Sequence, residues 1–199
     1  MNNNILNLFL FNEKLKFSEI ETNLKIRSNK LAYQIKELVK KGVLVKNNDF
    51  YSLSETSEYL IPYLSEKKSP IPVILIKIGE KNCFFLHKRE KRPFQGKLSL
   101  PGGRILVGES LKQATERIMR EKFGLNAKFS EINSISLEHV KKNGKVIHSF
   151  FLFLVSAETK DKIDLIDITK IKQDVISSDY FLLLQKQSKI NINTFFTKS

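Results

Sequence analysis

The stretch PGGRILVGESLKQATERIMREKFGL, residues 101–125, decides how the chain is to be read. It opens on Pro101-Gly102-Gly103. Ser110 with Gln113 three positions on is a capping box, and it predicts a helix start in which two otherwise orphaned backbone donors are satisfied reciprocally. Leu111, Ala114 and Ile118 fall on one helical face, and Gly124 is the expected stop, where a left-handed residue ends a helix without steric cost. Arg117 with Glu121, and Glu116 with Arg120, stand four apart and could be ordinary ion pairs on that helix.

The spacing of the polar residues carries more than a helix. Gly103 is followed after five intervening residues by Glu109, and Arg117 stands seven intervening residues beyond that. The run then reads Arg117-Ile118-Met119-Arg120-Glu121-Lys122-Phe123-Gly124-Leu125. This resembles the Nudix family. That family's signature is a glycine, five residues, a glutamate, seven residues, then Arg-Glu-apolar-x-Glu-Glu-x-Gly-apolar. Gly103, Glu109, Arg117, Met119, Glu121, Gly124 and Leu125 fall on the pattern, as does the Pro-Gly-Gly that commonly precedes it. The glutamate expected after Arg117 is Ile118, and the second of the Glu-Glu pair is Lys122. Shifting the frame to Arg120-Glu121 leaves Gly124 three residues too early.

In the family these acids lie on one helix face and hold Mg²⁺ or Mn²⁺ against a diphosphate. Hard divalent cations need several carboxylate oxygens, and the bound ion both neutralises the diphosphate and activates water. Here the face reads Ile118, Glu121, Lys122, so the resemblance implies an impaired cation cage. Glu109 and Glu121 are the residual catalytic and metal-binding candidates. Gly102, Gly103, Arg117, Lys122 and Arg89 are the ligand-binding candidates, with Lys122 offering a fixed positive charge where a cation would meet the diphosphate. The other reading of the survivors is a scaffold: Ile118 extends the apolar row, and Glu109 supports the loop. The expectation is a domain that holds no tightly bound ion, with Mg or Mn needed only if hydrolysis survives.

The flanks fit an α/β/α sandwich with a mixed sheet. Strands are predicted at Pro72–Ile78, Cys83–His87, Phe129–Leu137 and Lys145–Ala157, with a short extended piece at Ile166–Ile168. Ser178 is expected to cap a final helix over Asp179–Gln185. The basic string Lys88-Arg89-Glu90-Lys91-Arg92 suits phosphate or ribose, or is a solvated turn. Glu131 and Glu138 are both available as an accessory base. His87, His139 and His148 lack metal-ligand spacing, and there is no Walker loop, nucleophile elbow or CxxC.

Upstream, Glu66-Lys67-Lys68-Ser69-Pro70 predicts a boundary, giving domains at 1–68 and 69–199. The first reads as helices from Ile5, from Phe17 to Leu24 and from Ser28 to Gly42. A hairpin of Val43–Val45 with Phe50–Leu53 comes next, then a helix capped by Ser54 through Tyr59, Leu60 and Leu64. "LAYQIKELVKKGVLVK" followed by "YSLSETSEYL" resembles a winged helix-turn-helix domain, so the overall class is α+β. By that resemblance the third helix enters the major groove with Asn29, Lys30, Tyr33, Gln34 and Glu37 outward. Arg27 and Ser28 meet a phosphate at its amino end, and Lys46 lies on the wing. A Nudix domain joined to a winged helix is a regulator architecture, although in its best-known group the winged helix follows rather than precedes.

Composition frames these readings. Among 199 residues there are 34 basic and 21 acidic side chains, a net charge of +13, which favours polyanionic partners. Residues 1–69 hold 11 basic and 8 acidic residues, and residues 70–199 hold the other 23 and 13, so the excess sits mainly in the second domain. Lysine is spread along the chain, which also fits simple surface solvation. The single cysteine, Cys83, excludes an internal disulfide and fits a reducing cytoplasm. No apolar run approaches the ~20 residues of a membrane span, and no secretory signal is visible. The expectation is a DNA-binding regulator, dimeric on a two-fold site, whose second domain senses a nucleotide-type ligand. The alternative is a divergent metal-dependent hydrolase of nucleoside diphosphate derivatives.

Overall fold

The computed structural model describes residues 3–63 and 69–185. It divides into two compact units, Met1–Lys68 and Ser69–Ser199. The expected linker residues 66–68 and the carboxyl end of the helix expected through Leu64 lie outside the described residues.

In the first unit, α1 (Asn3–Leu8), β1 (Leu15–Lys16), α2 (Phe17–Leu24) and α3 (Ser28–Lys40) precede a hairpin of β2 (Leu44–Asn47) and β3 (Phe50–Leu53). The apolar spacing of α3 works as its period requires: Leu31, Ile35 and Leu38 are buried against Ile5, Leu6, Ile20 and Leu44. Three details differ from the sequence reading. Ser28 does not cap α3; Arg27 occupies the cap position, and the Ser28 hydroxyl donates to the Glu21 carboxylate. The two-residue strand β1 adds to β3, making a three-stranded sheet that the pattern did not suggest. Ser54 donates to the Gly42 carbonyl at 2.6 Å, and the segment Glu55–Tyr63 is 3₁₀ rather than α-helical.

The second unit is built on a four-stranded mixed sheet. Its strands are β4 (Ile71–Lys77), β9 (Gly102–Arg104), β10 (Ala127–Lys142) and β11 (Lys145–Thr159), in the order β10-β11-β4-β9. β10 and β11 form a long antiparallel hairpin, β11 runs parallel to β4, and β9 is antiparallel to β4. Smaller pieces complete it: β5 (Gly79–Glu80), β6 (Cys83–Phe84), β7 (His87–Lys88), β8 (Leu98–Ser99) and β12 (Ile166–Asp167). The strand expected over Cys83–His87 is therefore split between two small sheets.

Alternation along β4 sorts the core into two layers. Ile74 and Ile76 pack with Ala114, Ile118, Met119 and Val155, beneath α4 (Leu111–Phe123). Leu75 faces the other way, with Leu100, Leu154, Leu182 and Leu183, beneath α5 (Ser177–Leu184). The sheet thus lies between two helices. Ser178 does not cap α5; Ile176 holds the cap position, and Asp179 turns its carboxylate inward. Among the described residues no helix is long and apolar enough to cross a membrane.

Candidate functional site

Local sequence builds the site's frame. Ser110 accepts from the Gln113 amide while Gln113 accepts from the Ser110 amide at 2.9 Å, the reciprocal cap expected of these residues. Gly124 ends α4 with φ 66°, and its amide reaches the Arg120 carbonyl. The preceding loop is pinned to β4 at Gly102, where an added Cβ would lie 2.6 Å from the Ile74 carbonyl oxygen. Gly102 is thus required by backbone approach to the sheet.

Arg117 is the centre of the loop-helix contact. Its Nε and Nη2 grip both oxygens of Glu109, the latter at 2.8 Å, and Nη2 also reaches the Arg104 carbonyl at 3.0 Å. Glu109 further accepts from the Leu106 amide at 2.9 Å. The planar guanidinium fits a carboxylate two bonds at a time, so this pair is oriented as well as attractive. Hydrogen bonds from Arg117 hold the Glu109 carboxyl below its ordinary range. Glu121 touches the same guanidinium only at 3.4 Å, and its side chain is 62% exposed. The four-apart pair read from the sequence exists, but it is the weaker partnership.

The two departures from the family pattern occupy the face between helix and loop. Ile118 is fully buried, and a methyl placed on Gly103 would lie 3.1 Å from its Cγ1 and Cδ1. Lys122 donates from Nζ to the Gly102 carbonyl, and the same methyl would lie 3.2 Å from that Nζ. Two side chains therefore press on Gly103, and any larger residue there would oblige them to give way by a few tenths of an ångström. Burial lowers the Lys122 ammonium's proton affinity, and the positive charges of Arg89, Arg117 and Lys91 lower it further against the opposing pull of Glu121. His87 lies beside this group, 5.1 Å ring to ring from Phe123. Its pKa is lowered by burial first, then by Lys122 and Arg89 against hydrogen bonds to backbone. Arg89 is itself positioned, its Nε donating to the Pro93 carbonyl at 2.6 Å.

These donors do not fit a divalent cation. Glu109 is spent on Arg117 and on a backbone amide, Ile118 contributes no oxygen, and an ammonium stands where a carboxylate would be needed. Among the described residues no three His, Cys, Asp or Glu side chains converge as a metal set.

Of the residues singled out from the sequence, the second unit brings together Gly102, Gly103, Glu109, Arg117, Glu121, Lys122 and Arg89. Glu131 and Glu138 separate: Glu131 is an electrostatic neighbour of Lys77, and Glu138 of Asp179. Asp179 was missed. Its carboxylate accepts from the Leu100 amide at 2.9 Å, just before the Pro-Gly-Gly turn, and it is almost wholly buried. In the first unit Arg27, Ser28, Asn29, Lys30, Tyr33 and Lys46 are exposed. Gln34 is half-buried, with its Oε1 enclosed and unpaired, and Glu37 is half-buried too, so the outward face is narrower than the helical pattern predicts.

Residues 68–172 match the family model of the NUDIX domain. The chain belongs to the Nudix family. Similar solved structures include a NUDIX hydrolase from Nitrosomonas europaea, at 21% identity and a TM-score of 0.45, covering 59% of this chain and 70% of that one. The MutT protein of Methanosarcina mazei Go1 is 22% identical, with a TM-score of 0.45 and coverage of 59% and 91%. A UDP-X diphosphatase is 16% identical, with a TM-score of 0.46 and coverage of 79% and 78%. No curated protein matches the sequence. Within the Nudix unit, the loop and α4 thus keep the family's frame while Ile118 and Lys122 change what it encloses.

Proposed function

We propose that the Nudix unit takes a nucleoside diphosphate derivative as a divergent hydrolase-type domain that binds such a ligand more readily than it cleaves it. The family match over residues 68–172 is the observation that supports this ligand class. The same match favours the hydrolase-like reading over that of a regulator. Slow turnover follows from the donor set, because Glu109 is held by Arg117 and Glu121 is the one acid of the pair with a largely solvent-facing carboxylate.

The test is a thermal-shift panel of nucleotide sugars, dinucleotides and nucleoside triphosphates, with and without Mg²⁺ or Mn²⁺, followed by product analysis. A ligand present at ~100 Kd adds about 2.7 kcal/mol of stability. The expected result is stabilisation by one of these classes with little product. Rapid metal-dependent turnover would make the chain an ordinary hydrolase, and no stabilisation by any class would remove the reading.

A second reading concerns the first unit. A winged helix-turn-helix domain that binds DNA, as a cytoplasmic homodimer on a two-fold site, would make the chain a ligand-responsive regulator. Its support is exposed Arg27 at the cap of α3 and exposed Ser28, Asn29, Lys30 and Tyr33 on it, above a buried Leu31, Ile35 and Leu38, with Lys46 exposed on the hairpin. Lys30→Ala is expected to weaken binding to the chain's own promoter region by ~1–3 kcal/mol, and Gln34→Ala by less. Absence of any DNA affinity at low salt would end this reading.

A further inference from the structure

We propose that Arg89 and Lys122 form a metal-independent site for a diphosphate, a proposal that rests on the ligand class argued above. Three observations carry it. Lys122 uses one of its three N–H donors on the Gly102 carbonyl, which fixes the ammonium over Gly103 and leaves two donors. Arg89, Arg117 and Lys91 all lie within electrostatic reach of that ammonium, and Arg89 is oriented by its bond to the Pro93 carbonyl. Glu109 and Arg117 satisfy one another, and Glu121 points largely to solvent, so neither acid is spent on Lys122 or Arg89.

Lys122 and Arg89, with Lys91 beside them, are like charges drawn together, an arrangement that an anion relieves. Asp179, with Glu138 as its neighbour, is an acid near Arg89, but it is buried and bonded to the Leu100 amide. Ile118 completes the argument by exclusion. It fills the floor beside Gly103 with hydrocarbon, so the charge offered to a ligand comes from side-chain cations. A cation fixed on the protein neutralises the bound diphosphate, whereas a divalent ion would bring activated water as well. Ligand retention without cleavage is the outcome of that difference.

The experiment is calorimetric titration of the full chain with inorganic pyrophosphate, once in EDTA and once in excess Mg²⁺. In EDTA the wild type is expected to bind, and Mg²⁺ is expected not to strengthen binding. Lys122→Ala and Arg89→Ala should each weaken it by ~10-fold or more, the scale of a lost charge-assisted hydrogen bond. Lys122→Arg should retain it. Lys112→Ala, which removes an equal charge at an exposed position on the same helix, should leave affinity unchanged. Melting curves establish that each variant is folded, and Lys122→Arg decides the matter if Lys122→Ala does not fold. Binding that appears only with Mg²⁺ overturns this inference and leaves the nucleoside diphosphate reading standing. Equal losses in Lys112→Ala and Lys122→Ala overturn it too, by reducing the effect to net charge. No response to pyrophosphate alongside a positive nucleotide panel would move recognition away from these two cations and overturn the inference.

Discussion

Asp179 holds its carboxyl under the Pro-Gly-Gly turn, where burial pushes its pKa up to about 6 from 3.8 against the opposing Leu100 amide, Ser99 hydroxyl and Arg89. The folded state therefore holds this proton more tightly than the unfolded chain does. Its contribution to stability is greatest below pH ~3.8 and is lost as pH rises through about 6, the reverse of a salt-bridged acid. Asp179→Asn keeps an acceptor for the Leu100 amide and removes the charge. Melting temperatures measured from pH 4 to 7 should fall less steeply with rising pH in the variant than in the wild type. An unchanged slope would mean that the buried carboxyl is not the group that titrates. Nothing in the sequence near Asp179 advertised this, because the position reads as the first turn of a helix, where an acid is favoured for local reasons.

At the scale of the element, α4 was the most legible part of the chain because everything that specifies it is local. Ser110 and Gln113 start it, one apolar face buries it, and Gly124 stops it. The caps proposed at Ser28 and Ser178 failed for the complementary reason. A serine hydroxyl will bond whichever partner tertiary structure offers, and Glu21 took the one at Ser28. Arg117 shows the same limit: its partner at Glu121 is visible as a four-residue spacing, whereas its stronger grip on Glu109 depends on where the loop folds back. The helix face also permits a gain-of-function test. Ile118→Glu with Lys122→Glu restores three acids at 118, 121 and 122. With Ile118 wholly buried, the added carboxylate lacks a partner, and the variant should melt below the wild type in EDTA. Millimolar Mg²⁺ or Mn²⁺ should then raise its melting temperature and leave the wild type's in place. A variant that stays indifferent to metal would show that these two positions do not decide whether the site takes a metal ion.

Across the whole molecule, composition and pattern identified the strands far better than their neighbours. β4 and β11 are readable apolar runs, β10 reads as an alternating strand, and the β10–β11 hairpin follows from the Asn143-Gly144 turn between them. The parallel partnership of β4 with β11 was not readable, because it joins Ile71 to Phe150, 79 positions later, and no local signal spans that distance. This one register has a consequence for how the protein comes into being. Closing so long a loop is slow, so the hairpin should assemble first and β4 should join it last. Pulse-labelled hydrogen exchange during refolding is expected to protect amides along β10 and β11 before those of Ile74 to Ile76, and simultaneous protection would refute that order. On a ribosome adding ~5–20 residues per second, the run Val73-Ile74-Leu75-Ile76 emerges several seconds before its parallel partner exists. For that interval the strand destined for the middle of the sheet is a bare apolar edge, and what shelters it there is a matter for the cell's chaperones rather than for the fold.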